Sequence, residues 1–583
     1  MAAPTDDTVD IHRSFTVQQR SFKGYGPLAV LGVMLVVMAL FAPTLAPERQ
    51  ETATGGFSGD TGGGFFDDSA TPDTVAGDTT TEVTTGGDET GGDDGSSSDD
   101  GGSAPVAGDP GAVAADGQGS GVAPVAGVAP CPDRQQQIPG DEYSPPCVAW
   151  GGGNNGGATT KGVTEDKILV SYRVLGGEKG FQQTMAELAG ASLSDTPDTI
   201  QNTIRAFADY FSTRMEFYGR SMEVVFYDGQ GSNTNELLGK GRDKAEADAV
   251  KVAEEIGSFA DLSATSEPYA DALADRGVVG FGTPYLSRKW HEDRAPFVWS
   301  LATDGTRVSE LASEYANKKL HGKPAIHAGG ELASKTRKFA TIAPENSWYQ
   351  DSVNNSRRIT QEAGNDPGEN VKYQLDLSTM SSQANNIVPK LKNQGVTTVV
   401  CGCDPVLPVF LSGVANRESY YPEFIIAGTA LTDADIVGQL WDQNFASHAF
   451  GISSLEPFVP PTQTIAYEAF KSVRPDQEPA FSVDLIYYQM YMLAIGIQGA
   501  GPTLTPQSFS DGMFNYPQRS GTIGLWKFGP GDRTAANDVR EIYWDPNAIS
   551  PYNGKQGSYL PHQKSQRYEF GQFTPGDPIR PVS

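Results

Sequence analysis

The chain has 583 residues, with 43 Lys and Arg against 72 Asp and Glu for a net charge of −29, and it contains 67 Gly, 39 Pro and 4 Cys. That length admits three or four average domains with a sizeable core. An acidic body without a basic stripe of interleaved aromatics argues against a nucleic-acid partner, and four cysteines are too few for a disulfide scaffold.

Residues 1–26 carry Arg13, Arg20 and Lys23, and 27–46 (PLAVLGVMLVVMALFAPTLA) are uncharged. About 20 apolar residues span a ~30 Å hydrocarbon core, and the preceding positive charges place the N-terminus in the cytoplasm. A cleaved signal peptide is the alternative. The long apolar run, the long leader and Pro47 directly after Ala46 favour a single-pass anchor, with everything beyond it extracytoplasmic. Residues 47–130 are Gly, Asp, Thr, Ser and Ala with almost no large apolar side chains, a composition that predicts a disordered tether. Its coil dimension is roughly 50 Å.

A Pro- and Gly-rich arm, 131–164, follows. Cys131 and Cys147 bracket its start, and outside the cytoplasm an oxidised pair is expected there. Cys401 and Cys403 in VVCGCDP could close a small ring. Four cysteines allow three pairings, and the sequence does not choose among them. The spacing of Cys401 and Cys403, with no histidine clustered near them, does not suit zinc.

From Lys167 onward short apolar strands alternate with amphipathic helices. Strands are predicted at 168–174, 222–227, 278–282, 339–343, 396–402 and 424–428, and a helix at 199–217 through Ile200, Ile204, Phe207, Phe211 and Met215. The repeating unit implies parallel βαβ crossovers. These strands are too many for one small sheet. The predicted fold is therefore α/β with two doubly wound parallel-sheet lobes joined by a hinge, 165–334 plus 452–522 and 335–451 plus 523–570, before a C-terminal tail at 571–583.

In such sheets ligands bind beyond the carboxyl ends of the strands. The loops there carry Ser263, Thr265 and Ser266, then Thr283 and Tyr285, then Tyr349 beside Trp348, then Asp404, then Thr429. Hydroxyls and aromatics at successive strand ends describe a small-molecule pocket better than a catalytic centre. Each has a structural alternative: the serines as helix caps, Tyr349 as core, Asp404 as an N-cap ahead of Pro405. The turn DGQGSNTNE (228–236) lacks the Asp/Asn alternation of a calcium loop and reads as a solvated strand-to-helix turn. No G-x-S-x-G, H-E-x-x-H or P-loop motif occurs, so an enzyme is not expected, and no cofactor or metal is implied.

The succession VTEDKILVSYRVLGG, RAFADYFSTRMEFYGRSMEVVFYDGQGS, ADAVKVAEEI and YADALADRGVVGFGTPYLS resembles the first lobe of type I periplasmic binding proteins of the branched-chain-amino-acid (leucine-binding protein) kind. KFATIAPENSWYQDSVNNSRRITQEAG, SSQANNIVPKLKNQGVTTVVCGCDP and YYPEFIIAGTALTDADIVGQL resemble the second, and SGTIGLWKFGPGDR the late turn. The resemblance implies a clamp with three hinge crossings that closes on a small polar solute, an amino acid, amide or similar, and delivers it to an ABC permease in the membrane. It matches Ser263 to Ser266 and Thr283 to the loops holding a ligand carboxylate, and Tyr349 to a second-lobe aromatic. The family's ammonium-binding acid falls near Thr429 or Ala430, neither of which carries charge, so either Asp404 substitutes or the ligand need not be an α-amino acid. A ligand-sensing ectodomain is the alternative use of the same clamp. In either case Tyr349→Ala is expected to weaken binding with little change in melting temperature.

Overall fold

The computed structural model describes residues 131, 135–175, 195–237, 240–283, 285–429, 431–457 and 459–576. The expected cytoplasmic tail, membrane anchor and tether, residues 1–130, lie outside them, as does 577–583 of the tail. No helix among the described residues is long and apolar enough to cross a membrane.

The first lobe begins with β1 (Lys167–Leu175), α1 (Pro197–Arg214) and β2 (Ser221–Gly229). Helix α1 starts where Thr196 caps it and Pro197 fixes its first turn. It buries Ile204, Phe207 and Phe211, spaced three and four apart. Next come α2 (Asn233–Leu237), α3 (Arg242–Val250), β3 (Ala260–Asp261), α4 (Glu267–Asp275), β4 (Val279–Phe281), α5 (Arg288–Asp293) and β5 (Val298–Trp299). The strands form a parallel sheet in the order β2-β1-β3-β4-β5.

The second lobe contains α6 (Gly305–Lys319), β6 (Phe339–Pro344), α7 (Ser347–Glu362), β7 (Glu369–Tyr373), α8 (Leu377–Asn393), β8 (Thr398–Cys401) and α9 (Leu407–Arg417). It continues through β9 (Glu423–Ile426), α10 (Asp435–Gly438), α11 (Gln443–Ala446) and β10 (Ala449–Ser453). The chain then returns to the first lobe as α12 (Ile465–Val473), α13 (Val483–Ala500), α14 (Pro506–Phe514) and the hairpin β11 (Arg519–Gly521) and β12 (Gly524–Trp526). It crosses once more to β13 (Asp538–Ile549), β14 (Gln556–Pro561) and β15 (Arg567–Glu569). The second sheet runs β7-β6-β8-β9-β10-β13-β14, parallel as far as β10, with β13 antiparallel to its neighbours and β15 also paired to β13.

Each sheet has its own core. Phe207, Phe211, Tyr487, Tyr491, Phe509 and Trp526 fill the first, and Ile342, Tyr373, Val399, Phe424, Trp441 and Trp544 the second. Helix α13 is apolar around nearly its whole circumference because α1, α12 and α14 enclose it. A Cβ at Gly499 would lie 2.9 Å from the backbone of Gly512, so this crossing requires glycine.

Two lobe boundaries differ from expectation. Helix α6 packs Val308, Leu311 and Tyr315 against Phe339, Ile425 and Ile452 of the second sheet, so the first crossing is at 300–304 rather than 334. Trp526, Phe528 and Ala535 lie in the first core, which moves the last crossing to 529–537 from 523. These two crossings run side by side: Ala535 N donates to Ser300 O at 2.9 Å and the Thr303 hydroxyl to Ala536 O at 2.8 Å. The described part of the arm packs on the first lobe, where Tyr143 is fully buried and donates to Gly524 O at 2.7 Å. Of the three pairings the cysteines allow, Cys131–Cys147 and Cys401–Cys403 are the disulfides formed.

Candidate functional site

The carboxyl ends of the two sheets face one another, because the loops that leave them touch. Tyr285, beyond β4, stacks on Tyr349, beyond β6, with ring centroids 5.5 Å apart and planes 21° from parallel. The Ser287 hydroxyl donates to Asp351 at 3.3 Å. Lys240, beyond β2, lies 3.6 Å from Asp376, beyond β7. At another point of the rim Phe481 meets Tyr552 edge-on at 5.3 Å. Trp348 packs against both lobes' clusters, and its buried indole N–H has no partner among the described residues.

The predicted residues divide into those that face the cleft and those the fold has already engaged. Tyr285 and Tyr349 form the contact between lobes; Tyr349 is also 6% exposed and part of the second core, as its structural alternative required. Thr265 is exposed, and its hydroxyl bonds no described residue. Ser263 donates to Asp261 at 2.6 Å and accepts from Arg173 N at 2.8 Å, so its hydroxyl fixes the β1 and β3 ends. Ser266 stands at the N-cap of α4 but turns its hydroxyl to Glu236 rather than to the helix. Thr283 is buried 3.4 Å from His291 Nε2. His291 Nδ1 faces Ser287 O at 3.1 Å, and burial pushes its pKa down to about 4, so the ring is neutral.

Asp404 accepts from Val406 N at 2.7 Å and Leu407 N at 3.3 Å, and the Tyr373 hydroxyl donates to its other oxygen. One oxygen is therefore held by its own loop and the other by Tyr373 at the end of β7, and burial raises its pKa. Thr429 donates to Cys403 O at 3.2 Å. The 228–236 turn, expected to be solvated, instead delivers Glu236 to a buried pair with Arg173 at 2.8 Å, with Asp248 at 3.3 Å. A single positive charge in a buried place draws in both carboxylates.

Beside Ser263 and Thr265 the first lobe holds a cavity of about 240 Å³ between α1, α13 and the ends of β1 and β3. Its lining includes Tyr172, Asn233, Leu485 and Gln489, none of which local sequence pattern singles out. The only available signal was a mostly apolar helix α13 interrupted by Gln489. A larger recess of about 580 Å³ follows the outer edge of β2 and contains none of the predicted residues. Among the described residues no group of three or more His, Cys, Asp or Glu could hold a metal ion.

A sequence family described as periplasmic binding protein matches residues 192–547. The chain belongs to that family. Two facing parallel-sheet lobes with three crossings between them are the architecture this binding protein was expected to have, and its family is one of binding proteins rather than enzymes. No curated protein matches it. Among solved structures, an ABC transporter solute-binding protein from R. palustris in complex with 4-hydroxybenzoate is similar at 11% identity and TM-score 0.49, covering 70% of this chain and 98% of that one. A fatty acid ABC transporter substrate-binding protein from Thermomonospora curvata is similar at 12% identity and TM-score 0.46, covering 73% and 99%. A branched-chain amino acid transporter substrate-binding protein from Streptococcus pneumoniae in complex with isoleucine is similar at 13% identity and TM-score 0.44, covering 68% and 100%.

Proposed function

We propose that this protein is an extracytoplasmic solute-binding protein that captures a small molecule between its lobes for an ABC importer, held at the membrane by the 27–46 segment. The observation that carries this reading is the Tyr285–Tyr349 stack between loops that leave the carboxyl ends of two separate sheets. A ligand seated there touches both lobes only when they are together, so it stabilises the closed arrangement by its differential affinity. Thr265, Tyr285, Tyr349 and Trp348 are the residues proposed to meet it.

The test is a thermal-shift screen of the full chain against amino acids, amides, small acids, polyamines and sugars, followed by small-angle scattering. A ligand at a thousand times its dissociation constant adds about 4 kcal/mol to the folded state. A hit that also lowers the radius of gyration supports the clamp. A hit that leaves the radius unchanged, with Tyr285→Ala binding as tightly as wild type, removes the cleft from the account.

A further inference from the structure

The wall of the first-lobe cavity narrows the class of ligand. Ile200 and Ile204 of α1 face Leu485, Ile486 and Met490 of α13. Leu485 is 45% exposed on the first turn of a helix whose later residues are almost all buried, so among the described residues its side chain lacks an apolar cover.

The charged groups of the same wall are engaged by their neighbours. Arg173 holds Glu236 and Asp248 and lies 3.7 Å from the centroid of the Tyr269 ring. Asp195 accepts from the backbone N–H groups of Phe481 and Ser482 at the start of α13. Among the described residues an entering carboxylate would find the one cation lining the cavity already matched by two carboxylates, and a buried unpaired charge is costly. Two polar side chains are likewise turned to the backbone or to other residues, Gln489 to Leu262 O and Ser263 to Asp261. That leaves, besides the Ser482 hydroxyl at the start of α13, the Tyr172 hydroxyl, the Asn233 amide and the Thr265 hydroxyl, which have no hydrogen-bond partner among the described residues. All three are neutral, and each can donate and accept.

We propose that this cavity receives the apolar body of an uncharged ligand, an amide, alcohol or ketone rather than an α-amino acid or a carboxylate, with Leu485 as its apolar contact and Tyr172, Asn233 and Thr265 as its hydrogen-bonding partners. An apolar cavity of about 150 Å³ takes up benzene, so this volume holds roughly nine heavy atoms. The assignment rests on the solute-binding reading. It agrees with Asp404, whose carboxyl is buried against Tyr373 and the backbone N–H groups of Val406 and Leu407.

Three compounds of nearly one shape separate the classes: cyclohexanecarboxamide, cyclohexanecarboxylate and cyclohexylmethylamine. Calorimetric titration of the full chain in nanodiscs, with empty nanodiscs as blank, should show the carboxamide binding at least tenfold more tightly than either charged compound. Leu485→Asp, at an exposed position in a first turn that favours acids, should weaken the carboxamide at least tenfold without lowering the melting temperature. Thr265→Val should weaken it at least threefold. Tighter binding of either charged compound, no binding of the carboxamide, or equal carboxamide affinity in wild type and Leu485→Asp overturns the assignment. If an amino acid instead binds and draws the lobes together, the clamp stands and the ligand class falls; if nothing binds and the lobes never close, both fall.

Discussion

Removing the ring of Tyr285 separates closure from folding. The ring is half-buried and stacks at 5.5 Å on a residue of the other lobe. An aromatic pair of this kind contributes about 0.5–1.5 kcal/mol beyond area, and the apolar area lost from the contact adds about 1 kcal/mol at 25 cal/mol per Å². Tyr285→Ala should therefore weaken the closed, liganded state by about 1.5–2.5 kcal/mol, a factor of about 10 to 70 in dissociation constant. Its unliganded melting temperature should change little, because an open clamp already exposes this side chain.

Tyr349→Ala is different, and here the structure corrects the expectation formed from sequence. At 6% exposed among Ile342, Tyr373 and Leu407, Tyr349 is a core residue as well as a contact. Its truncation should cost about 3–5 kcal/mol of stability, the range for large aromatic truncations. The assay is titration of each variant with the first compound that stabilises wild type, alongside calorimetric melting. Equal affinity for Tyr285→Ala and wild type, or an unchanged melting temperature for Tyr349→Ala, refutes the reasoning.

Lys240→Ala removes the Lys240–Asp376 contact; because Lys240 is 55% exposed, it should cost under ~1 kcal/mol of closure and vanish near 1 M salt, as affinities at two ionic strengths would show. Arg337→Met leaves Glu423, which Arg337 binds through two nitrogens at 2.7 Å, charged and buried, so denaturant melts should show a loss of about 3–5 kcal/mol. His291, with its pKa pushed down to about 4 from 6.5, stays neutral in the folded state while the unfolded chain takes up the proton. Its contribution is thus fully present above pH 6.5 and lost as pH falls toward 4, about 3 kcal/mol in all. Melts of wild type and His291→Gln across that window should converge at low pH, and parallel curves would contradict the assignment.

The sequence by itself determined the alternation of strands and helices, and so the two parallel sheets, because apolar runs of four to six residues between amphipathic helices bury both faces in only one kind of architecture. It also located the loops that approach one another, since parallel topology sends every strand's carboxyl end to the same edge. It misplaced the first crossing because α6 is amphipathic whichever sheet it covers; only Val308, Leu311 and Tyr315 meeting Phe339 and Ile452 settles the matter. It could not tell which loop hydroxyls remain available. Ser263, Ser266, Thr283 and Thr429 resemble Thr265 in sequence, yet each is placed against Asp261, Glu236, His291 or the Cys403 carbonyl, residues 2 to 30 positions away. The cavity was further from reach still, because Leu485 and Gln489 come back to the first lobe more than 200 residues after Leu262. Local pattern records what a segment must bury, but which polar atoms stay free depends on partners that only tertiary packing brings within hydrogen-bonding distance.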